Sequence, residues 1–212
     1  MVETKHYEDI FLSYLLKGNR VECEKVMREF IKINPSIIVL YEDIFKNSLY
    51  RIGELWEYNK ISVAVEHMAT LLIQDLMNEL FIKIRSLERK NKKILISSIE
   101  IEEHQVGGKM VADIFEKNSW DAHFLGANTP TQELVNYCNL IKPDLIGLSI
   151  SVYSNMQFLI KEITTIRETF NIPIIIGGQA LVKVGKKVSE KFTDVLYFAN
   201  LEEVENYIMG SV

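Results

Sequence analysis

The spacing of apolar residues changes near residue 88, from a helical period to short apolar runs separated by helical stretches, and this limits the chain to two differently built halves. In the first half Cys23, Val26, Met27, Phe30 and Ile31 recur at helical spacing, as do Tyr41, Ile44, Phe45, Ile52, Leu55 and Trp56. The longest stripe is Val65, Met68, Ala69, Leu72, Ile73, Leu76, Met77 and Leu80. With an opening helix around Ile10 to Leu16, broken at Gly18-Asn19, these predict four helices; the third starts at Asn34-Pro35 and ends at Tyr58-Asn59-Lys60. Residues 1–88 are therefore expected to form a four-helix bundle.

The charged stretch Arg85 to Lys93 reads as a solvated linker or a fraying helix end and marks the boundary. Beyond it, strands are expected at Ile94–Ile99, Asp121–Leu125, Leu145–Ile150, Ile172–Ile176 and Val195–Phe198. Helical patterns lie between them at Val106–Glu116, Thr131–Ile141, Met156–Phe170 and Val182–Lys191, with a last helix near Leu201–Met209. Residues 92–212 thus predict a flavodoxin-like α/β domain: a five-stranded parallel sheet with helices on both faces. In such sheets ligands bind beyond the carboxyl ends of the strands.

Composition removes several classes of function. A net charge of −5 offers no basic footprint, so direct nucleic-acid binding is not expected. The opening Met-Val-Glu-Thr-Lys-His lacks the apolar core of a signal peptide, and no stretch approaches the ~18 apolar residues of a spanning helix. A cytoplasmic, membrane-free protein is expected. Cys23 and Cys138 are far apart and outside any Cys-x-x-Cys spacing, which predicts two small core residues.

The expected strand ends carry the residues with chemistry. His104, in Glu102-Glu103-His104-Gln105-Val106-Gly107, follows the first strand where a helix begins, and a carboxylate two positions away can fix the tautomer of an imidazole and raise its basicity. Gly126 follows the second strand, Ser149 and Ser151 end the third, and Gly177-Gly178 end the fourth. Glycines there let backbone approach a bulky ligand and hydroxyls bond its polar edge, although a tight turn and helix caps would use the same residues. No Gly-x-Gly-x-x-Gly follows the first strand, and Gly107-Gly108-Lys109-Met110 lacks the phosphate-loop spacing. Where a phospho-acceptor domain needs aspartate, the third strand has Leu148-Ser149-Ile150-Ser151.

Glu102-x-His104-x-x-Gly107, Ser149-Ile150-Ser151 and Gly177-Gly178 resemble the cobalamin-binding domain of methionine synthase and corrinoid proteins, with glutamate in place of the family's aspartate. The resemblance spans nearly the whole chain, including the preceding bundle. It implies that His104 binds cobalt from below, displacing the cofactor's own dimethylbenzimidazole. The tail then lies near Ser149 and Ser151, with Gly177 and Gly178 leaving it room. The longer side chain of Glu102 predicts a looser hold on His104.

In the first half, Ser62 is an expected N-cap, and Val63, Glu66, His67 and Thr70 share one face of the fourth helix. That face reads either as a solvated surface or as a lid. Trp56, nine residues, then Glu66-His67 is similar to the signature of light-sensing, adenosylcobalamin-dependent regulators of the CarH kind. That resemblance implies that Trp56 shields the upper axial group, that Glu66 and His67 bond the adenosyl group, and that Val63 leaves it space. Two differences stand out. Those regulators carry a DNA-binding helix-turn-helix domain, whereas this chain begins at the bundle. Glu57 follows the tryptophan where some members have a histidine that captures cobalt after illumination, so His67 or His123 would have to substitute. The expectation is a non-catalytic, homo-oligomeric adenosylcobalamin photoreceptor that changes oligomeric state or the binding of an unknown protein partner when light cleaves the cobalt–carbon bond. The alternative is a corrinoid carrier of a methyltransferase system, and methylcobalamin and hydroxocobalamin are further forms the same residues would accept.

Overall fold

The computed structural model describes residues 2–210, with side chains from Thr4 onward. The chain divides into two compact units, Met1–Lys83 and Ile84–Val212.

In the first unit, α1 (Val2–Leu15) ends in a turn where Gly18 is left-handed, and α2 (Arg20–Ile33) starts under the Asn19 side chain, which accepts from the Glu22 amide. A long helical passage follows, made of α3 (Ile37–Val39), a π-helical segment at Leu40–Lys46 and α4 (Asn47–Glu57). After a turn comes α5 (Val63–Ile84), whose first bonds run from the Val65 and Glu66 amides to the Ser62 carbonyl. The apolar stripes read from the sequence meet in one core: Phe11, Met27, Phe30, Tyr41, Ile44, Phe45, Ile52, Ile73, Leu76 and Met77 are all buried. Trp56 departs from its stripe. It is 49% exposed, because on α4 only Ser48 and Ile52 reach the core. The π segment was not visible in the spacing, since α and π turns differ in which carbonyl accepts rather than in which residues they favour.

The segment after α5 belongs to the second unit and is largely exposed, yet hydrogen bonds fix it. The Ser86 amide donates to Glu116 O, the Lys90 amide to Ser119 O, and Arg89 bonds Trp120 O and pairs with Glu116.

The second unit holds β1 (Lys93–Ser98), β2 (Asp121–Phe124), β3 (Leu145–Ser149), β4 (Ile174–Gly177) and β5 (Val195–Tyr197), all parallel, in the order β2-β1-β3-β4-β5. This is the flavodoxin-like order, with its switch point between β1 and β3. The central strands are buried on both faces and read as continuous apolar runs for that reason. Helices α6 (Val106–Lys117), α7 (Thr131–Ile141), α8 (Met156–Thr169), α9 (Gly185–Ser189) and α10 (Leu201–Gly210) complete the unit. Leu134, Val135 and Cys138 of α7 and Leu159, Ile163 and Ile166 of α8 pack on Leu95, Ile146, Leu148, Ile174 and Ile176 of the sheet. Both cysteines are buried, and burial pushes each thiol up to about 12.

Helix α1 starts at Val2, well before the expected Ile10, the first three strands end one residue earlier than expected, and two further boundaries differ for reasons the sequence shows. Strand β4 begins two residues later than the apolar run suggests, after Pro173, which has no N–H to give the ladder. The expected helix at Val182–Lys191 is a 3₁₀ turn at Gln179–Leu181 followed by the five-residue α9. Among the described residues no helix is long and apolar enough to cross a membrane.

Candidate functional site

His104 lies on the loop between β1 and α6, beside the switch point of the sheet. Strand β1 ends at Ser98, and the Glu102 amide returns to Ile99 O at 3.0 Å, which closes a four-residue turn. Ile101 occupies the third position of that turn at φ 68°, a conformation usually given to glycine and strained for a β-branched side chain. Neighbouring segments hold it there. Asn128, on the loop after β2, accepts from the Ile101 amide through Oδ1 at 3.2 Å and donates its own amide to Glu102 O at 2.9 Å.

This turn delivers Glu102 into the protein while His104 points outward. Glu102 is 1% exposed, whereas the His104 side chain is 56% exposed. Glu102 Oε1 meets His104 Nδ1 at 2.5 Å and accepts the His104 amide at 3.2 Å. Glu102 Oε2 accepts the amides of Ser151 and Val152, each at 3.0 Å, and Asn155 Nδ2 at 3.5 Å. Burial acts to raise the carboxyl pKa, but the bonds from the His104 ring and from the Val152, Ser151 and His104 amides outweigh it and hold the group down at about 2. Glu102 is therefore an anion, and the proton of a neutral His104 sits on Nδ1, which makes Nε2 the nitrogen with the lone pair. From the other side, Ser98 Oγ donates to His104 O at 2.8 Å.

The longer glutamate does not loosen this contact, contrary to expectation. One carboxylate spans from the imidazole to the backbone after β3.

The other expected residues of this unit take different places. Ser151 joins the Glu102 cluster, but through its amide rather than its hydroxyl. Gly107 opens α6 opposite Ser149; a Cβ there would stand 3.8 Å from Ser149 Oγ. Gly126 takes φ 85° after β2, and its carbonyl accepts the Ser98 amide. Gly178 lies at φ 117°, and a Cβ on it would come within 2.2 Å of Ile150 O. Its own chain requires that glycine before any ligand is considered. Gly177 differs, because a Cβ there would make only an ordinary 3.5 Å contact with Phe198 O.

In the helical unit the remaining candidates stand on the last turn of α4 and the first turns of α5. Trp56 and Val63 are 49% and 48% exposed, and the His67 side chain is 70% exposed. Thr70 Oγ1 donates to Glu66 Oε1 at 3.0 Å, and Glu66 Oε2 lies 3.5 Å from His67 Nε2. His123 is on β2, where its ring nitrogens meet Tyr137 Oη at 3.0 Å and Asp121 Oδ2 at 3.3 Å.

Sequence reasoning missed the residues that set the loop: Ser98, Ile101, Asn128 and Asn155. None of them belongs to a spacing motif. Only the pair Asn128 and Gly126, two turn-forming residues after a strand, carried any signal.

The strain at Ile101 gives a testable result. Ile101→Gly should relieve ~1–2 kcal/mol of left-handed strain, against ~0.5–1 kcal/mol of extra chain entropy in the unfolded state. A small net gain in the urea midpoint is expected, since Ile101 is 42% exposed and loses little burial; a loss above ~1 kcal/mol would show that the turn is not strained.

A single imidazole with a fixed tautomer suits a metal that arrives with its other ligands already in place, as cobalt does in a corrin ring. Comparison with known proteins supports cobalamin binding. The chain spans about half the length of two curated relatives from Myxococcus xanthus: the HTH-type transcriptional repressor CarA, 23% identical over 66% of this chain and 51% of that protein, and CarH, 24% identical over 66% and 47%. It also superposes on the Methanosarcina barkeri monomethylamine corrinoid protein with a TM-score of 0.80 and 14% identity, covering 98% of this chain and 99% of that one. Residues 7–80 match a B12 binding domain family of their own, and residues 92–199, more than half of the chain and including the loop of His104, match a B12 binding domain; the chain belongs to the B12-binding family.

Proposed function

We propose that this chain is an adenosylcobalamin-dependent sensor, with His104 as the lower cobalt ligand and the helical unit reporting the state of the upper one. The observation that carries the binding half is the Glu102–His104 contact at the sheet's switch point. When bound, adenosylcobalamin supplies a cobalt–carbon bond that visible light cleaves. The protein supplies position and charge. Buried, ionised Glu102 holds the imidazole proton on Nδ1 and makes Nε2 a stronger donor. Gly107 lies at the start of α6 beside Ser149, and a Cβ on Gly177 would make only an ordinary contact with Phe198 O.

The sensor half rests on Trp56, Val63, Glu66 and His67. An indole, a valine and an imidazole left exposed on neighbouring turns, with a Glu66–Thr70 bond orienting the carboxylate, offer the mixed apolar and hydrogen-bonding surface an adenosyl group needs. Release of that group would remove the partner of this surface, and a change in oligomeric state or partner binding would follow. With Glu57 after Trp56, no histidine stands at that position to take cobalt after illumination.

A methyl-carrying role is the second reading, favoured by the whole-chain similarity to the monomethylamine corrinoid protein. One experiment separates them. Protein loaded with adenosylcobalamin in the dark should change both its visible spectrum and its elution volume after green light. A changed spectrum with constant elution volume, together with methyl transfer from methylcobalamin to a partner methyltransferase, would instead establish the carrier.

A further inference from the structure

Ile101 stands left-handed at φ 68° with its side chain 42% exposed, so burial of that side chain is not what keeps it there. Two bonds that bracket it come from a single residue. Asn128, exposed on the loop after β2, accepts the Ile101 amide through Oδ1 at 3.2 Å and donates its own amide to Glu102 O at 2.9 Å. Asparagine suits this position twice over. It tolerates the left-handed backbone that residue 128 takes, φ 52°, and it carries a short-armed acceptor. The loop that presents it is fixed to the strand the turn leaves, because the Leu125 amide donates to Ile96 O and the Ser98 amide to Gly126 O, each at 2.9 Å. The neighbouring Glu100 is held separately: its carboxylate accepts the Thr131 hydroxyl at 2.8 Å, and its amide donates to Glu162 Oε2 of α8 at 3.1 Å. Asn128 is the contact that bears on the strained residue itself.

We propose that Asn128 is a positioning residue for His104: it keeps Ile101 left-handed, and the turn fixed in that way aims the Glu102 carboxylate at the imidazole. The inference rests on His104 being the cobalt ligand. Glu102 follows Ile101 directly, so the direction of its side chain depends on the dihedrals of that residue. Its carboxylate has to meet His104 Nδ1 with one oxygen and the Ser151 and Val152 amides with the other. Without the Oδ1 bond, the preference of a β-branched residue for negative φ is opposed only by the rest of the turn. A turn relaxed that way rotates the carboxylate off the ring. The proton then no longer stays on Nδ1, and the Nε2 lone pair that cobalt needs is available in only part of the population.

The test compares the full chain with three variants. Asn128→Gly keeps the left-handed backbone and the amide but removes Oδ1. Asn128→Asp keeps the acceptor. Asn128→Gly combined with Ile101→Asn removes the β-branched side chain that resists the turn. Two quantities are read: hydroxocobalamin affinity, and the tautomer of the His104 ring in cofactor-free protein by nitrogen-15 NMR. Asn128→Gly is expected to lose about tenfold in affinity, the lower end of what disturbing a ligand's hydrogen-bonding partners costs, and to shift the ring from Nδ1–H to a mixture of tautomers. Asn128→Asp and the double variant should stay close to wild type in both. Wild-type behaviour of Asn128→Gly would overturn the proposal, as would a loss of affinity with the tautomer unchanged. So would an equal loss in the aspartate or double variant, and these two decide the matter if Asn128→Gly does not fold. A tautomer shift in a chain that binds no corrinoid would support the positioning role while removing the cobalt reading.

Discussion

His104→Ala should weaken cobalamin binding by at least the ~10–100-fold that disturbing a ligand's hydrogen-bonding partner costs in metal sites, and whatever cofactor still binds should show the spectrum of cobalt ligated by its own benzimidazole. The ring is mostly exposed, so truncation leaves the core intact. The loss is specific, because Ser98 holds the His104 carbonyl and Glu102 holds its amide; the backbone stays in place when the ring is removed. Measuring affinity and the visible spectrum together distinguishes this from general damage. A variant with wild-type affinity and spectrum would remove His104 as the ligand.

The second large effect concerns stability rather than binding. Gly178→Ala should destabilise the chain by about 3–5 kcal/mol, combining a conformation that L residues avoid with a collision against backbone. Ile150 cannot move aside easily: its amide donates to Gly177 O at 3.1 Å and its carbonyl accepts the Ala180 amide at 3.3 Å. Gly177→Ala is the control, since its Cβ would meet only an ordinary contact. Urea denaturation of both variants should show a large loss for position 178 and a small one for 177; equal losses would mean that the glycine pair acts as a simple turn.

The division into a helical unit and a parallel sheet was legible because burial imposes different periods on the two halves. Fully buried strands such as Leu145–Ser149 announce themselves as unbroken apolar runs, and the stripe from Ala69 to Leu80 as an amphipathic helix. The Glu102–His104 pair was legible because two residues of spacing suffice to join a carboxylate to an imidazole on one loop. What holds that pair was not. Asn128, Asn155 and Glu162 reach the turn from three different segments, and no local pattern records such convergence. The left-handed Ile101 ran against propensity, since turn rules place glycine there. Trp56 was misplaced by half, counted in an apolar stripe by spacing although its ring lies outside the core. Short elements such as α9 fail for another reason: five residues are too few for a helical period to emerge.

The central claim, that one protein imidazole ligates cobalt, has a direct spectroscopic test. Nitrogen-15-labelled protein is loaded with unlabelled cobalamin, reduced to the cobalt(II) state, and measured by electron paramagnetic resonance. Ligation by His104 predicts that each cobalt line splits into two, from a nitrogen-15 nucleus of spin one half. Splitting into three, from the cofactor's own nitrogen-14 base, would contradict it.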